Sequence, residues 1–453
     1  MNPLTNCKNI YFIGIGGIGM SALARYFNTQ GVVVSGYDKT PTLLTDALVE
    51  EGIQIHFEDD LAKIDKAATV IVYTPAIPNE HGELNYYRDN KYLVVKRSDV
   101  LQWITENAFT IAIAGTHGKT TTTSMTAHIL RHTGYGCNAF LGGIATNYGT
   151  NFWSHEKNVV VVEADEYDRS FLKLAPNIAV ITAVDPDHLD IYGTAEEVVK
   201  AFGEFSDKIK PGGVLIQKWG TAFNTNTSNK TVLSYGYNHD KASYHTSNLK
   251  VVEGSYHFDL VHPAGICKDI ILNMGGLHNV ENLSAAIAIA LSLGIEEVKI
   301  KEAVASFAGV KRRFEYKVKT PNKVLIDDYA HHPEELNALI SGVRSLYPNE
   351  KMVLIFQPHL YSRTKDQCDG FVETLDKADE VILLPIYPAR ELPMEGVSSE
   401  MLLAKMKLSH KKIMSKDELF DWAANSQDKL IVMAGAGDID TCILKVQEIL
   451  TNK

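Results

Sequence analysis

The segment Gly115-Thr116-His117-Gly118-Lys119-Thr120 constrains the fold of this chain more than any other feature. It follows an apolar run, residues 109–114, and precedes three more threonines, so we expect a strand, a tight glycine loop and a helix. Its second half matches the end of the P-loop pattern, although Ile113 stands where that pattern has its first glycine. Backbone N–H groups can still hold phosphates, Lys119 can neutralise their charge, and the Thr120 hydroxyl can bind Mg²⁺. The segment therefore predicts an ATP site on an α/β scaffold.

Carboxylates follow the next two apolar runs. Residues 159–162 end in Glu163-Ala164-Asp165-Glu166, and the run 178–181 is followed by Asp185-Pro186-Asp187-His188. Open α/β sheets bind ligands at the carboxyl ends of their strands, so we expect these side chains opposite the phosphate loop. Glu163 is our choice of Mg²⁺ ligand. The pattern alone leaves His188 open between a metal ligand and a capping or core residue, because a hard cation prefers oxygen.

A second glycine loop, Gly14-Ile15-Gly16-Gly17-Ile18-Gly19, follows a strand and opens a helix near the N-terminus. This G-x-G-x-x-G context predicts a tight turn and a helix N-terminus facing a diphosphate. Asp38, further along after the second strand, is placed to reach a ribose hydroxyl. Close helix–strand packing is the alternative explanation for the glycines. The pattern does not separate a dinucleotide from a sugar nucleotide, so a nicotinamide-dependent dehydrogenase stays open here.

Composition excludes several classes of protein. The 453 residues suggest roughly three domains at about 150 residues each. A net charge of -11 argues against a nucleic acid or an anionic membrane as partner. No apolar run approaches the roughly 20 residues that a membrane span needs, and the N-terminus lacks the features of a secretory signal. We expect a cytoplasmic protein without membrane insertion, and its five cysteines form no Cys-x-x-Cys pair.

The order of apolar runs predicts an α/β fold of three domains. Residues 1–107 form an N-terminal Rossmann-like domain in which strands alternate with helices. Residues 108–315 form a central P-loop ATPase-like α/β domain, with an antiparallel insertion from about 220 to 272, where turn residues separate short alternating segments. Residues 316–453 restart the alternating pattern as a C-terminal Rossmann-like domain.

The complete set of motifs resembles that of the Mur ligases of bacterial peptidoglycan synthesis. The resemblance rests on nine segments in order: 14–21, 115–125, 163–166, 187–188, His278-Asn279 with Asn282, Arg312-Arg313-Phe314, 329–333, 356–359 with Arg363, and 435–438. It implies an ATP-dependent, amide-forming ligase with Mg²⁺ as cofactor. The implied reaction joins L-alanine to the lactyl carboxylate of UDP-N-acetylmuramate through an acyl phosphate. Whether the chain forms a homo-oligomer is left open.

The resemblance also implies roles for individual residues. Catalytic roles fall on Lys119, His188, Arg313, His331, His359 and Arg363. Contacts with ATP fall on Gly115, Thr116, His117, Gly118, Lys119, Thr120, Thr121, His278, Asn279, Asn282, Arg313 and Asp328. Contacts with the other substrates fall on Gly14, Gly16, Gly17, Gly19, Asp38, Gly142, Gly143, Asn147 and Tyr329. Metal binding falls on Thr120, Glu163 and His188.

Three alternatives remain beside this interpretation. A recycling ligase that joins a preformed tripeptide to the same sugar nucleotide shares the ATPase motifs. A dehydrogenase leaves the second loop and Glu163 unexplained, and a non-catalytic nucleotide sensor predicts no phosphate release. The chain also departs from the family pattern, since Leu360 stands where relatives commonly have an arginine, and Tyr167 and Arg169 alter the segment after Glu166.

Overall fold

The structure is a computed structural model that describes residues 3–186, 188–389 and 391–451. Within these ranges the chain forms three β-sheets flanked by helices. It divides into two compact units. The first comprises the chain up to residue 248 together with 258–270 and 281–307, and the second comprises 249–257, 271–280 and the chain from residue 308 onward. The first sheet lies in the first unit and the third sheet lies in the second unit. The second sheet lies mainly in the first unit, but parts of β13, β14 and β15 belong to the second.

The first sheet has five parallel strands in the order β3-β2-β1-β4-β5. The strands are β1 (Asn9–Ile13), β2 (Val33–Tyr37), β3 (Gln54–His56), β4 (Val70–Tyr73) and β5 (Leu93–Lys96). The helices are α1 (Ile18–Thr29), α2 (Leu43–Glu50), α3 (Gly82–Asp89) and α4 (Arg97–Thr105), and a short 3₁₀ helix, Pro3–Asn6, precedes β1. Strand order reverses beside β1, so the glycine loop after β1 lies at a switch point, where such sheets bind ligands.

The second sheet has ten strands in the order β15-β14-β13-β12-β11-β10-β6-β9-β7-β8. The strands are β6 (Phe109–Ala114), β7 (Asn138–Ala145), β8 (Thr150–Trp153), β9 (Val159–Glu163), β10 (Ile178–Ile181), β11 (Gly213–Lys218), β12 (Lys230–Gly236), β13 (Tyr244–Val252), β14 (Ser255–His262) and β15 (Gly265–Leu272). The helices are α5 (Lys119–His132), α6 (Leu189–Tyr192), α7 (Ala195–Asp207), α8 (Leu277–Ser292) and α9 (Glu297–Ser306), with a 3₁₀ helix at Ser170–Lys173. The strands from β13 to β7 in this order are parallel. The central strands β6, β9 and β10 are almost entirely apolar and buried, as expected where a sheet is covered on both faces.

The antiparallel insertion is shorter than the sequence predicts. Two-residue turns join β13 to β14 and β14 to β15, and such short turns connect only antiparallel strands. The predicted insertion also included β12, but β12 pairs in parallel with β11. The connection between those two strands, residues 219–229, is long enough to return the chain to the end of the sheet where β11 begins, so β12 can run in the same direction. β13 also pairs in parallel with β12, so antiparallel pairing begins between β13 and β14.

The third sheet has the order β16-β17-β21-β18-β19-β20, and only β16 runs antiparallel to its neighbour. The strands are β16 (Glu315–Lys319), β17 (Val324–Asp328), β18 (Met352–Phe356), β19 (Glu380–Leu383), β20 (Lys411–Ile413) and β21 (Leu430–Ala434). The helices are α10 (Pro333–Leu346), α11 (Tyr361–Asp366), α12 (Cys368–Leu375), α13 (Ser399–Lys405), α14 (Lys416–Asn425) and α15 (Asp440–Thr451). Among the described residues, no helix has the length and apolar character needed to cross a bilayer.

His128 fastens the far end of α5 to α9. The side chain is 1% exposed, and its Nε2 lies 2.8 Å from the Ala303 carbonyl oxygen. Its Nδ1 lies 2.8 Å from the Tyr148 hydroxyl, so one ring nitrogen donates and the other accepts. Burial is the main cause that lowers the pKa of His128 from 6.5 to about 4. The folded protein therefore holds this histidine neutral.

This burial makes the stability of the first unit depend on pH. The pKa of His128 is lower in the folded protein than in the unfolded chain. The stability that His128 contributes is therefore complete above the unfolded pKa and is lost as pH falls toward the folded pKa. From about pH 7.5 to about pH 5, His128 should account for a loss of about 2 kcal/mol in the free energy of unfolding. Urea titrations of wild type and His128→Gln at the two pH values check this. The free energy of unfolding of the variant should fall by about 2 kcal/mol less than that of wild type. Exposed His239→Gln is the matched control, and equal losses in all three proteins would contradict the assignment.

Candidate functional site

The phosphate loop needs glycine at both of its glycine positions. Gly115 has φ +138° and Gly118, which caps α5, has φ +80°. A Cβ on Gly115 would lie 2.0 Å from Thr182 Oγ1, and one on Gly118 would lie 2.6 Å from Asn282 Oδ1. Both the backbone conformation and the available space therefore exclude a side chain. The loop lies directly against the end of β10 and the side of α8.

Hydrogen bonds fix the loop to the residues that follow β10. The Thr116 N–H donates to the Ala183 carbonyl at 3.1 Å, and the Thr116 hydroxyl donates to Asp185 Oδ2 at 3.3 Å. The Thr182 hydroxyl donates to the His117 carbonyl. Thr121, on the first turn of α5, is buried. The predicted segment from Gly115 to Thr121 thus forms the loop and the first turn of α5, and these hydrogen bonds hold the loop backbone in place.

Lys119 is held by a buried carboxylate. Its Nζ donates to Glu166 Oε1 at 2.7 Å and to the Gly115 carbonyl oxygen at 2.6 Å. The Glu166 side chain is 1% exposed. Burial raises the pKa of Glu166, and the neighbouring Lys119 opposes that rise. Glu166 belongs to a predicted motif but had no predicted role, because its pairing with Lys119 depends on the approach of α5 to the segment after β9.

Thr120 and Glu163 lie together beside this pair. The Thr120 hydroxyl donates to Glu163 Oε1 at 3.2 Å. A Cβ on Gly142 would lie 2.1 Å from Glu163 Oε2, so the carboxylate packs directly on the backbone of β7. A hydroxyl and a carboxylate are oxygen donors of the kind that Mg²⁺ prefers. The donor chemistry of these two residues therefore fits a Mg²⁺ ion, which they would hold through oxygen atoms.

His188 lies next to Glu166. Its Nε2 is 3.9 Å from Glu166 Oε1, and its ring meets the Tyr167 ring edge-on, with centroids 5.1 Å apart. Its φ of +52° places it in the left-handed region as the cap of α6. In the part of the chain that the structure describes, no group of three or more His, Cys, Asp and Glu side chains is arranged to hold a metal ion. Asp187 lies outside the described residues.

A cavity of about 350 Å³ connects the first glycine loop to Glu163. Its lining includes Gly17 and Gly19 from the loop, and Gly142 and Glu163 from the second sheet. Gly14, with φ +87°, makes the turn that follows β1. The predicted diphosphate loop and the predicted metal ligand therefore line the same cavity.

Asp38 contacts the glycine loop itself. The Gly16 N–H donates to Asp38 Oδ2 at 2.7 Å, and the Thr40 N–H donates to Asp38 Oδ1 at 3.2 Å. The carboxylate thus braces the turn in this structure. Its predicted contact with a ribose hydroxyl stays a prediction.

Arg97 is a residue of this cavity that the sequence analysis missed. It begins α4, directly after β5, and its Nη2 lies 3.3 Å from Asp165 Oδ2. A Cβ on Gly19 would lie 2.7 Å from Arg97 Nη1, so the guanidinium rests on the start of α1. Its position after a strand end, at the ligand-binding edge of a parallel sheet, was the available signal.

Three predicted substrate contacts, Gly142, Gly143 and Asn147, lie in two different places. The resemblance puts these residues in a loop that meets the muramyl sugar, but Gly142 and Gly143 belong to strand β7, and Gly142 lines the cavity. The Asn147 side chain donates to the Ser306 carbonyl at 2.7 Å, beside α9. The structure therefore brings Gly142 to the cavity and places Asn147 at another contact.

Asp328 organises a strained turn in the second unit. Arg312 and Phe314, on either side of Arg313, have φ of +60° and +47°, which non-glycine residues rarely adopt. The Phe314 and Ala330 N–H groups donate to the two Asp328 oxygens at 2.7 and 2.8 Å. Burial raises the pKa of Asp328 to about 6, while these hydrogen bonds and the charge of Arg313 oppose the rise. Arg313 and Asp328 are thus electrostatic neighbours.

A cluster of rings lies after β17 and β18 in the same unit. The His331 and His359 rings have centroids 6.0 Å apart, and Tyr329 meets His331 at 5.1 Å. Arg363 Nη1 lies 3.4 Å from His359 Nδ1. Burial is the largest cause that lowers the pKa of His331 and of His359. The structure therefore brings four predicted site residues together, with both imidazoles favoured in the neutral form.

Two of the three positions that depart from the family pattern have φ angles in the left-handed region. Leu360, which caps α11, has φ +69°, and Arg169 has φ +57°. The Arg169 guanidinium lies 4.8 Å from the centre of the Tyr192 ring. Both departures therefore fall on turns that follow strand ends.

Three predicted ATP contacts, His278, Asn279 and Asn282, are expected from the resemblance on the adenine side of the nucleotide, and they fall in both units. Asn282, in the first, lies against Gly118, as described above. In the second, the Asn279 side chain donates to the Gly275 carbonyl at 2.6 Å, and a Cβ on Gly276 would lie 2.3 Å from His278 Cε1. Asn282 is thus placed with the phosphate loop.

Comparisons with known proteins give a consistent family assignment. Residues 9–108 match the description "Mur ligase family, catalytic domain", residues 113–290 match "Mur ligase middle domain", and residues 312–437 match "Mur ligase, glutamate ligase domain". A UDP-N-acetylmuramate–L-alanine ligase of Flavobacterium psychrophilum is 47% identical over 99% of this chain and 100% of its own length.

Two solved structures have the same fold over nearly the whole chain. The crystal structure of a UDP-N-acetylmuramate-alanine ligase from Thermotoga maritima is 28% identical, with a TM-score of 0.83 over 98% of this chain and 99% of that one. A murein peptide ligase from Psychrobacter arcticus is 21% identical, with a TM-score of 0.68 over the same shares, and supports the fold alone.

The geometry of the phosphate loop gives a matched pair of variants. Gly118→Ala should weaken ATP binding about tenfold or more, because a side chain in the left-handed region costs roughly 1–2 kcal/mol and the loop must also move away from Asn282. Gly212 has a similar φ of +77° with nothing within 4 Å of its Cβ position. Gly212→Ala should therefore lose stability but keep its affinity for ATP in calorimetric titration. Equal ATP affinities for the two variants would contradict this account of the loop.

Proposed function

The chain belongs to the Mur ligase family, and from this membership we propose that it joins L-alanine to the lactyl carboxylate of UDP-N-acetylmuramate with cleavage of ATP. The observation that carries this proposal is the cavity that runs from the first glycine loop to Glu163 beside the phosphate loop. Such a cavity suits a substrate with a diphosphate at one end and a group that reacts with ATP at the other. A nicotinamide dehydrogenase has no use for the second loop.

The proposed chemistry activates a poor acyl group. A carboxylate resists attack by an amine because its oxygen is a poor leaving group, so the γ-phosphoryl group of ATP is first transferred to it. The amine of L-alanine then attacks the acyl phosphate, and the tetrahedral intermediate collapses to an amide and phosphate. Catalysis of this kind rests on positioning and on neutralising charge.

Residues of the first unit hold the reacting groups. The backbone N–H groups of Gly115 to Thr121 hold the phosphates, and the ammonium of Lys119 neutralises their charge. Thr120 and Glu163 would hold Mg²⁺, which supplies further neutralisation of the phosphate oxygens when bound. His188 is our proposal for a further ligand at this site. The first glycine loop and Arg97 hold the diphosphate of the sugar nucleotide.

For residues of the second unit we propose further contacts with the substrates. Arg313 stabilises charge on the transferring phosphoryl group, and Asp328 contacts the ATP ribose, with His278 and Asn279 on the adenine side. Tyr329, His331, His359 and Arg363 receive the amino acid. The neutral forms of His331 and His359 avoid repelling its ammonium group. Arg363 offers a fixed positive charge to its carboxylate.

The assignment of L-alanine over a tripeptide rests on sequence identity. The relative with 47% identity over its full length is named for L-alanine, whereas the murein peptide ligase shares 21%. The activity would supply peptidoglycan synthesis in the cytoplasm, where ATP is available, and would thereby support cell-wall formation, cell shape and division.

A phosphate-release assay tests the function. The purified protein with ATP, Mg²⁺, UDP-N-acetylmuramate and L-alanine should release phosphate, and the tripeptide in place of L-alanine should give little. Lys119→Ala should keep its fold and lose turnover by about two orders of magnitude or more, as for other groups that stabilise transferring phosphates. Release with the tripeptide alone would indicate the recycling ligase, and near-normal turnover in the variant would contradict the role of Lys119.

Arg97 provides a separate test of the cavity. Arg97→Gln should raise KM for UDP-N-acetylmuramate at least about tenfold, because it removes a charge-assisted contact with a diphosphate. KM for ATP should stay within about twofold. Arg88→Gln, an exposed arginine on α3 of the same domain, is the matched control and should leave both constants unchanged. A selective rise in KM for ATP in the Arg97 variant would contradict the assignment.

A further inference from the structure

Glu166 is the most deeply buried charged group beside the phosphate loop, and the reaction described above gives it no role. Its side chain is 1% exposed, and Oε2 has no hydrogen-bond partner among the residues that the structure describes. Oε1 accepts from Lys119 Nζ at 2.7 Å. An isolated buried carboxylate is strongly unfavourable, so this pairing is what allows Glu166 to remain ionised in the interior.

The same contact determines where the ammonium of Lys119 lies. With Glu166 on one side and the Gly115 carbonyl oxygen at 2.6 Å on the other, Nζ is fixed against the base of the loop. A lysine side chain without such partners samples many rotamers, and its ordering costs free energy when the nucleotide binds. The pair therefore presents an ordered positive charge before any phosphate arrives.

The surroundings of Glu166 are arranged to keep the carboxylate in place. The Tyr192 hydroxyl donates to the Glu166 carbonyl oxygen at 2.6 Å, which anchors the backbone independently of the side chain. The other charged or titratable groups near it are Asp165, whose charge opposes ionisation, and His188, 3.9 Å away. Of these neighbours, Lys119 alone supplies a permanent positive charge.

We propose that Glu166 is a positioning residue, whose buried carboxylate orders the Lys119 ammonium at the base of the phosphate loop and balances its charge until ATP binds. This inference rests on the proposed function only in that the loop binds ATP. It goes beyond the assignment of Glu163 and His188, because Glu166 acts through Lys119. It has a consequence that a merely structural glutamate lacks: the effects of changing Glu166 and Lys119 depend on each other.

A double-mutant cycle tests this dependence. Glu166→Gln keeps the shape of the side chain and should lower kcat at least about tenfold, the factor for a lost charge-assisted hydrogen bond. KM for ATP should stay nearly unchanged, because the cost of ordering Lys119 is offset by the removal of a negative charge near the phosphates. Lys119→Ala leaves the carboxylate buried and unpaired near the phosphates. The Lys119→Ala/Glu166→Gln protein should therefore bind ATP at least about tenfold more tightly than Lys119→Ala alone, because the unpaired charge is gone.

The control is Glu197→Gln. Glu197 lies on α7, is about 40% exposed and pairs with Lys200 at 3.4 Å. In the Lys119→Ala protein this change should give no gain in ATP affinity. A gain in the Glu166 double variant cannot arise from poor folding, which would lower affinity. Affinity measured by calorimetry needs no turnover, so it decides the inference even if UDP-N-acetylmuramate and L-alanine give no phosphate release. Equal affinity of the double variant and Lys119→Ala, or wild-type kcat in Glu166→Gln, would overturn the proposal.

Discussion

The close contact between the phosphate loop and the end of β10 is the constraint on which the site in the first unit depends. Gly115 and Gly118 have no room for a side chain, and Thr116 and Thr182 bind the loop to the neighbouring strand end. This contact sets the start of α5, and hence the direction of Lys119 and Thr120. The carboxylates of β9 can meet those side chains only because the loop is held in this position.

Parallel strands explain why so many functional residues converge. In the first unit, β1, β5, β9 and β10 all end at residues of the cavity or the phosphate site, and in the second unit β17 and β18 end at the separate cluster of rings. The carboxyl ends of parallel strands share one edge of a sheet, so residues far apart in sequence meet there. The cavity between the first glycine loop and Glu163 follows from the same rule, applied to two sheets within one compact unit.

Local sequence patterns predicted the strands better than the contacts between them. The apolar runs 109–114 and 178–181 coincide with β6 and β10, because a continuous apolar run bounded by turns has few other solutions. Pattern did not reveal that β12 is parallel, since direction depends on the length of the connection. Nor did it reveal the pairing of Lys119 with Glu166, or the position of Arg97, because both depend on the approach of separate elements. The placement of Asn147 beside α9 has the same cause.

The central claim is that the γ-phosphoryl group passes to the sugar-borne carboxylate before the amide forms. The most direct measurement uses UDP-N-acetylmuramate labelled with ¹⁸O in the lactyl carboxylate, with L-alanine and ATP, and mass spectrometry of the released phosphate. Each phosphate should carry one ¹⁸O atom, because the oxygen bridging carbon and phosphorus leaves with the phosphoryl group. Phosphate without the label, formed together with the amide product, would contradict it.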